Sequence, residues 1–244
     1  MIYLKVNQLI ATVITTLLPA KRWSQAAFTM SGLLAYYYRL FKGHKVYKYN
    51  YTVGISRAHK LNHLLALMTR LGKPFPITIC AQGSELFLKP RPKGLILCST
   101  HIPLSKVAIR HLMEHGFTPT VVLATNPDVI DSIAIWGRTE TIPAIRTGPF
   151  VLQKAKSVLQ QGGSIVVLVD RELGGPYSPN VFRLAEKINA DIIFFDAILQ
   201  RQGVVNVRFH ESEWNGKSHA DRVSRQMDEL YRHTTTLLQQ YSYS

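Results

Sequence analysis

Cysteine is almost absent from this chain of 244 residues, which contains only Cys80 and Cys98. Two cysteines cannot build the disulfide framework of a small secreted protein, so that class is excluded. Both lie within apolar runs, and we therefore expect two reduced, buried thiols in a protein that faces the cytosol. A thiol inside a core strand cannot easily reach a substrate, which argues against a cysteine nucleophile.

Acidic residues are missing from the first 84 positions, although the chain as a whole carries a formal net charge of +14. Such a basic segment is attracted to polyanions, meaning nucleic acid or an anionic membrane surface. The apolar runs Leu9–Leu18 and Phe28–Tyr38 alternate with the bases, and this mixture favours anionic membrane lipids as the partner over nucleic acid. A nucleic-acid-binding protein stays a third functional hypothesis.

The first apolar run, Val6–Ala20, is shorter than the ~20 residues that a membrane-spanning helix needs. It predicts an interfacial or re-entrant anchor, with a helix of the protein core as the alternative. A second helix is predicted over Trp23–Phe41, where three tyrosines stand beside Arg39 and Lys42. Aromatic side chains next to bases at the end of an apolar segment are typical of a membrane interface.

A third, amphipathic helix is predicted over Ile55–Leu71. Short strands are predicted over Phe75–Cys80 and Glu85–Leu88, and the turn-rich Lys89–Lys93 marks a boundary. The sequence therefore divides into a basic, membrane-associating helical arm, residues 1–88, and a core, residues 89–244. One continuous domain is the alternative.

The core alternates strands with helices. Strands are predicted at Gly94–Ser99, Thr120–Ala124, Thr141–Ile145, Ser164–Val169, Ile192–Phe195 and Val204–Phe209. Helices are predicted at Leu104–Glu114, Asp128–Trp136, Pro149–Gln161, Ser178–Asn189 and Lys217–Gln240. Fully apolar strands in this alternation predict an α/β fold with a mostly parallel sheet flanked by helices.

A histidine, His101, follows the first core strand and precedes a helix. The carboxyl ends of parallel strands are where α/β proteins place their chemistry, so His101 is a candidate base. The alternative is a capped or packed histidine. Asp170 follows another strand at the same predicted edge, and its alternative is a helix cap or an ion pair with Arg171.

The sequence contains none of the usual patterns of metal or nucleotide sites. His59, His63, His111 and His115 have no cysteine or acid at metal-ligand spacing, and we interpret them as structural or solvated. There is no P-loop and no dinucleotide glycine fingerprint. We therefore expect neither a metal nor a cofactor.

Four segments follow one another in an order that carries a resemblance. They read GLILCSTH, NPDVIDSIAIWGR, VLQKAKSVLQQGGSIVVLVDRELG and NVFRLAEKINADIIFFDAIL. In this order they resemble the lysophospholipid acyltransferase superfamily, and most of all its branch of lipid A lauroyl and myristoyl acyltransferases. The resemblance spans about half of the chain, from Gly94 to Phe209.

The resemblance implies a membrane-associated acyltransferase. It implies transfer of a fatty acyl group from an acyl thioester, on acyl carrier protein or coenzyme A, to a hydroxyl of a lipid or glycolipid. It also implies a location at the cytoplasmic face of the inner (plasma) membrane, and no cofactor besides the donor substrate. A catalytically impaired relative that binds lipid or acyl carrier is the alternative.

The resemblance also implies site residues. His101 matches the base of the family's H-x4-D/E motif, Asp170 matches its aspartate, and Arg138 matches its functional arginine. The acidic position of the motif is Lys106 here, and a cation cannot orient an imidazole or stabilise its protonated form. Asp170 and Glu172 are the substitutes that we expect.

The chemistry of further charged residues suits substrate binding. Arg138 and Arg146 have the chemistry to hold a phosphate or phosphopantetheine, or to stabilise an oxyanion, and a surface cation is the alternative for both. Lys106 has the position of a phosphate ligand at a helix start. The predicted substrate-binding residues are Lys106, Arg146, Arg171 and Glu172.

Overall fold

The computed structural model describes most of the chain. The described residues are 2–42, 52–71, 73, 77–91, 93–123, 142–146, 148–170, 173–200, 203–217 and 220–242. The predicted helix Asp128–Trp136 lies outside them, as do Arg138, Arg171 and Glu172.

Three long helices make up the N-terminal part. They are α1 (Ile2–Leu17), α2 (Trp23–Lys42) and α3 (Val53–Arg70), with a short 3-10 turn at Ala20–Arg22. The helices predicted over Trp23–Phe41 and Ile55–Leu71 are confirmed, with their ends shifted by a few residues. Most of the first apolar run, Val6–Ala20, belongs to α1. The Thr52 hydroxyl caps α3 by accepting a hydrogen bond of 3.3 Å from the Ile55 amide, as is typical of threonine at this position.

Of the helices in the described residues, none combines the length and the apolar character needed to cross a membrane.

Within the described residues, seven strands form one sheet. They are β1 (Thr78–Gln82), β2 (Leu95–Ser99), β3 (Thr120–Leu123), β4 (Ala144–Arg146), β5 (Ser164–Leu168), β6 (Asp191–Leu199) and β7 (Val204–Glu211). Their order is β1-β7-β6-β2-β5-β3-β4. Among these seven strands, β6 and β7 form a hairpin and pair in antiparallel orientation, and the other neighbours are parallel. The predicted α/β fold with a mostly parallel sheet flanked by helices is therefore confirmed.

Five further helices connect and cover the strands in the described residues. They are α4 (Ser84–Leu88), α5 (Ser105–Glu114), α6 (Val151–Gln160), α7 (Asn180–Ile188) and α8 (Arg222–Ser242). Helix α5 lies on the face of the sheet that α1 and α3 also cover, whereas α6 and α7 cover the other face. Successive side chains of β2 point to opposite faces of the sheet, and each face has its own hydrophobic core. Leu97 belongs to the core under α1, α3 and α5, and Cys98 belongs to the core under α6 and α7. This explains why the strand is buried on both sides and reads as a continuous apolar run.

The N-terminal helices share the first of these cores. Ala11 and Ile14 of α1 and Leu61 of α3 belong to the same buried cluster as Leu97 of β2. The end of α8 also reaches this side, because the Tyr241 hydroxyl donates a hydrogen bond of 3.0 Å to the Ala197 carbonyl in β6. The helices of residues 1–88 are thus packed on the sheet.

Two local predictions are wrong. The segment Glu85–Leu88 was expected to be a strand but is part of α4, and Cys80 was expected to be buried but is exposed. Gly83 causes the first difference, since its φ of 75° turns the chain out of β1, and a Cβ there would lie 2.3 Å from the Phe209 carbonyl oxygen. Cys80 is exposed because β1 is an edge strand. Its side chains alternate between half-buried and exposed, and Cys80 is on the exposed side.

Candidate active site at the carboxyl edge of the sheet

The sheet register brings two of the predicted site residues together. Strands β2 and β5 are parallel neighbours, and Ser99 is paired with Leu168 at their carboxyl ends. The amide of Val169 then donates a hydrogen bond of 3.0 Å to the Ser99 carbonyl. The segments that follow β2 and β5 therefore leave the sheet at the same level. His101 and Asp170 each lie two positions beyond the Ser99–Leu168 pair, so they emerge side by side.

One carboxylate oxygen holds His101 in two places. Oδ1 of Asp170 lies 2.8 Å from the His101 backbone nitrogen, which donates to it. The same oxygen lies 2.8 Å from Nδ1 of the His101 ring. Two contacts to one buried group restrict both the backbone and the ring of His101, so the imidazole is held in one orientation.

The two side chains differ in exposure. The Asp170 side chain is 0% exposed, whereas the His101 side chain is 40% exposed. A carboxylate that accepts a hydrogen bond from Nδ1–H leaves Nε2 as the nitrogen that can accept a proton. A buried acid behind a solvent-facing histidine is also the arrangement of these two residues in a Ser-His-Asp triad.

The second oxygen of Asp170 is an exception to normal hydrogen bonding. Within the part of the chain that the structure describes, Oδ2 is buried without a hydrogen-bond partner. An unsatisfied buried polar atom costs about 1–3 kcal/mol, and such costs are concentrated at functional sites.

The charge of Asp170 affects the pKa values of two neighbouring side chains. Burial is the main cause that raises the pKa of the Cys98 thiol, and the carboxylate of Asp170 raises it further. Burial also raises the pKa of Tyr177 to about 12, with Asp170 among the smaller contributions. Cys98 is fully buried, so it does not act as the nucleophile of this site.

Lys106, the cation at the acidic position of the motif, belongs to the first turn of α5 and is half-buried. It lies close enough to His63 of α3 to affect that residue. The pKa of His63 is lowered by burial first, then by the charges of Lys60 and Lys106. The carboxylate that contacts His101 therefore comes from another strand, and Lys106 adds positive charge between α5 and α3.

One predicted arginine, Arg146, lies away from the histidine. Arg146 is exposed at the end of β4 and pairs with Leu123 of β3. Three strand spacings separate β4 from β2, which corresponds to about 14 Å. Arg138, Arg171 and Glu172 lie outside the described residues, so their roles stay predictions.

Sequence reasoning missed a second group of acid and histidine residues, which lies on β6, β7 and α8. Asp196 lies 3.7 Å from Nε2 of His210, whose ring stacks on His233 with centroids 5.0 Å apart. Both oxygens of Asp196 already accept hydrogen bonds from Arg208, at 2.9 and 3.1 Å. Because both carboxylate oxygens are bound by the arginine, we interpret Asp196 and Arg208 as a structural ion pair. Only the cross-strand pairing of Asp196 with Arg208, unknown from sequence, could have revealed it.

Metal ligands do not converge in the part of the chain that the structure describes. No three or more histidine, cysteine, aspartate or glutamate side chains there could hold a metal ion together.

Comparison with known proteins finds a distant structural similarity. No protein-family model matches the chain, and no curated protein matches it. The chain is similar to the crystal structure of the 1-acyl-sn-glycerophosphate (LPA) acyltransferase PlsC from Thermotoga maritima, with 12% sequence identity. The TM-score is 0.47, and the similarity covers 97% of each chain.

Proposed function

We propose that this protein is a membrane-associated acyltransferase with His101 as its general base. It transfers a fatty acyl group from an acyl thioester, carried by acyl carrier protein or coenzyme A, to a hydroxyl of a lipid or glycolipid. The observation that carries the proposal is the 2.8 Å contact between Nδ1 of His101 and Oδ1 of the buried Asp170.

In the proposed reaction, the acceptor hydroxyl gives its proton to Nε2 of His101 while its oxygen attacks the thioester carbonyl carbon. The new C–O bond forms, the C–S bond breaks, and the thiol leaves with the proton returned by the imidazolium. Asp170 orients the ring and stabilises the transient imidazolium, as the aspartate of a Ser-His-Asp triad does. Arg138 would stabilise the developing oxyanion in this scheme.

The finer assignments come from the resemblance of the sequence segments. Their order supports an enzyme like the lauroyl and myristoyl acyltransferases of lipid A assembly, acting at the cytoplasmic face of the inner membrane. Lys106, Arg146, Arg171 and Glu172 would bind the phosphate or carrier groups of the substrates. Asp170, which contacts His101, would take the orienting role of the acid that the motif lacks.

The assay that tests the proposal supplies thioesters of graded chain length and a panel of lysophospholipid and glycolipid acceptors. Mass spectrometry of the lipids is expected to show the gain of one acyl group, with release of free thiol. Lys106→Glu is expected to change this rate by less than about tenfold, because Asp170 already provides the carboxylate. Transfer by Lys106→Glu alone would instead identify the natural chain as an impaired relative that binds lipid or acyl carrier.

The membrane part of the proposal is supported by two exposed apolar stripes. They consist of Val6, Leu9, Val13 and Leu17 on α1 and of Leu33, Tyr36, Tyr37 and Leu40 on α2. Spacings of three and four residues place each set on one side of its helix. Leu17 is 75% exposed and Leu9 is 64% exposed. The exposed cations Lys5, Lys21 and Arg22 lie at the ends of the first stripe. Apolar side chains flanked by cations suit an anionic bilayer surface.

The double variant Leu9→Ser/Leu17→Ser is expected to bind anionic lipid vesicles about 30-fold more weakly than the natural chain. Two inserted leucines account for about 2 kcal/mol, which corresponds to that factor. Vesicle co-sedimentation at several salt concentrations measures the effect, since the cationic contribution falls as salt rises.

Leu152→Ser is the matched control, because Leu152 is also exposed and lies on α6, away from both stripes. It is expected to bind vesicles like the natural chain. Equal binding by the double variant would contradict membrane insertion. Displacement of the vesicles by DNA at equal phosphate concentration would favour the nucleic-acid hypothesis.

A further inference from the structure

A serine and a histidine form a close pair away from His101. Oγ of Ser84 lies 2.9 Å from Nε2 of His111. Ser84 begins α4 directly after Gly83, whose positive φ turns the chain out of β1. His111 lies six residues beyond the start of α5, about 9 Å along the helix axis from the end that follows His101. The pair therefore belongs to a different part of the molecule.

Aromatic neighbours hold the His111 ring in place. Phe87 meets it edge-on at 86°, with centroids 6.3 Å apart, and Phe209 stacks on it at 29° and 6.1 Å. The His115 ring lies 4.1 Å away, centroid to centroid. His111 is 7% exposed. Because the ring cannot turn freely, Nε2 stays directed at the serine hydroxyl.

The surroundings lower the pKa of His111. Burial is the main cause that lowers its pKa, the charge of His115 lowers it further, and Glu114 opposes the change. The rings that contact His111 from other elements, Phe87 of α4 and Phe209 of β7, are uncharged. A neutral imidazole with its proton on Nδ1 accepts a hydrogen bond from Ser84 through Nε2, and this is the state in which a histidine activates a hydroxyl.

The pair opens onto a groove of about 660 Å³ between β1 and α5. One wall consists of the half-buried apolar side chains Ile77, Ile79 and Ala81. The opposite wall carries Arg110, which is paired with Glu114 at 2.7 Å. An apolar wall facing a neutralised ion pair suits an uncharged ligand with a hydrocarbon part.

We propose that Ser84, activated by His111, is a second nucleophile that reacts with uncharged carboxylic esters whose acyl part lies along β1. Oγ bonds to the ester carbonyl carbon while its proton passes to Nε2 of His111. The bond from this carbon to the alcohol oxygen then breaks, and the alcohol leaves with that proton. Water completes the cycle by the same route and releases the carboxylic acid. This activity is separate from the acyl transfer proposed for His101.

An alkyl fluorophosphonate, an uncharged reagent for activated serines, tests the proposal on the full-length protein. Ser84 Oγ displaces fluoride at phosphorus, and peptide mass spectrometry locates the adduct. We expect labelling of Ser84 about 100-fold faster than labelling of the exposed Ser157 on α6, because a general base contributes at least that much. The comparison is made within one folded chain, so it requires no variant.

Two variants and a pH series complete the test. Ser84→Ala is expected to abolish the adduct at this peptide, and His111→Gln to slow labelling of Ser84 by about 100-fold, with folding checked by circular dichroism. Ser157→Ala is the matched control and is expected to leave labelling of Ser84 unchanged. Labelling is expected to persist to a lower pH than a histidine with its ordinary pKa would allow, since burial lowers the pKa of His111.

Labelling of Ser84 no faster than Ser157 would overturn the proposal and identify the pair as a structural hydrogen bond with Nε2–H as donor. Full labelling in a folded His111→Gln variant would overturn it too. Neither result depends on acyl transfer by His101, because the readout is an adduct on one peptide. Failure of this inference is therefore distinguishable from failure of the proposed function.

Discussion

Replacing His101 with alanine is expected to lower acyl transfer by about 1,000-fold, with little effect on the free energy of unfolding. General-base catalysis contributes about 10²–10⁴-fold, and alanine has no group to accept the hydroxyl proton. The side chain is 40% exposed, so its removal takes little packing from the core. The measurement is the rate of thiol release from the thioester with the acceptor lipid present, beside a thermal unfolding curve for each protein.

His101→Gln serves as the second variant, because it keeps a polar side chain at the edge of the sheet without a basic nitrogen. It is expected to be as inactive as His101→Ala. If either variant transfers acyl groups at the natural rate, His101 is not the base and the proposed mechanism is wrong.

Replacing Asp170 with asparagine is expected to lower acyl transfer by about 100-fold or more while the protein stays folded. Asparagine retains an oxygen that can accept the hydrogen bond from the His101 backbone amide, but it loses the charge that stabilises the imidazolium. The rate of transfer at saturating substrate is the informative quantity, because the carboxylate acts on the reacting histidine and is itself 0% exposed.

Asp170→Leu separates the chemical role from the structural one. It leaves the backbone amide of His101 without its acceptor, so we expect an additional loss of about 1–3 kcal/mol in the free energy of unfolding. Asp228→Asn, an exposed carboxylate on α8, is the matched control and is expected to change neither quantity. Natural activity in a folded Asp170→Asn variant would show that the contact between Asp170 and His101 is only structural.

Much of the candidate site was predictable because it depends on strand ends. Apolar runs identify β2 and β5, and the polar residues that follow such runs must emerge at the edge of the sheet. His101 and Asp170 could therefore be named from the chain alone. Which carboxylate would contact the histidine could not, because that choice depends on the neighbour relation and register of β2 with β5.

Other features depend on contacts between residues far apart in the chain. Ser84 and His111 are 27 positions apart, and neither lies in a motif, so no pattern pointed to their 2.9 Å contact. The helix at Ser84–Leu88 was also missed, since the apolar residues of so short a segment fit a strand as well as a helix. Its form depends on the close approach of Gly83 to the Phe209 carbonyl.

The sequence by itself determined the class of fold, the basic and apolar character of the N-terminal helices, and the histidine and aspartate at the strand ends. These follow from local periodicity and composition, which each segment carries within itself. The tertiary structure alone decided that Asp170 contacts His101, that Arg208 binds Asp196, and that His111 forms a hydrogen bond with Ser84. The physical reason is that a hydrogen bond forms only when strand order, register and helix packing bring two distant groups within about 3 Å.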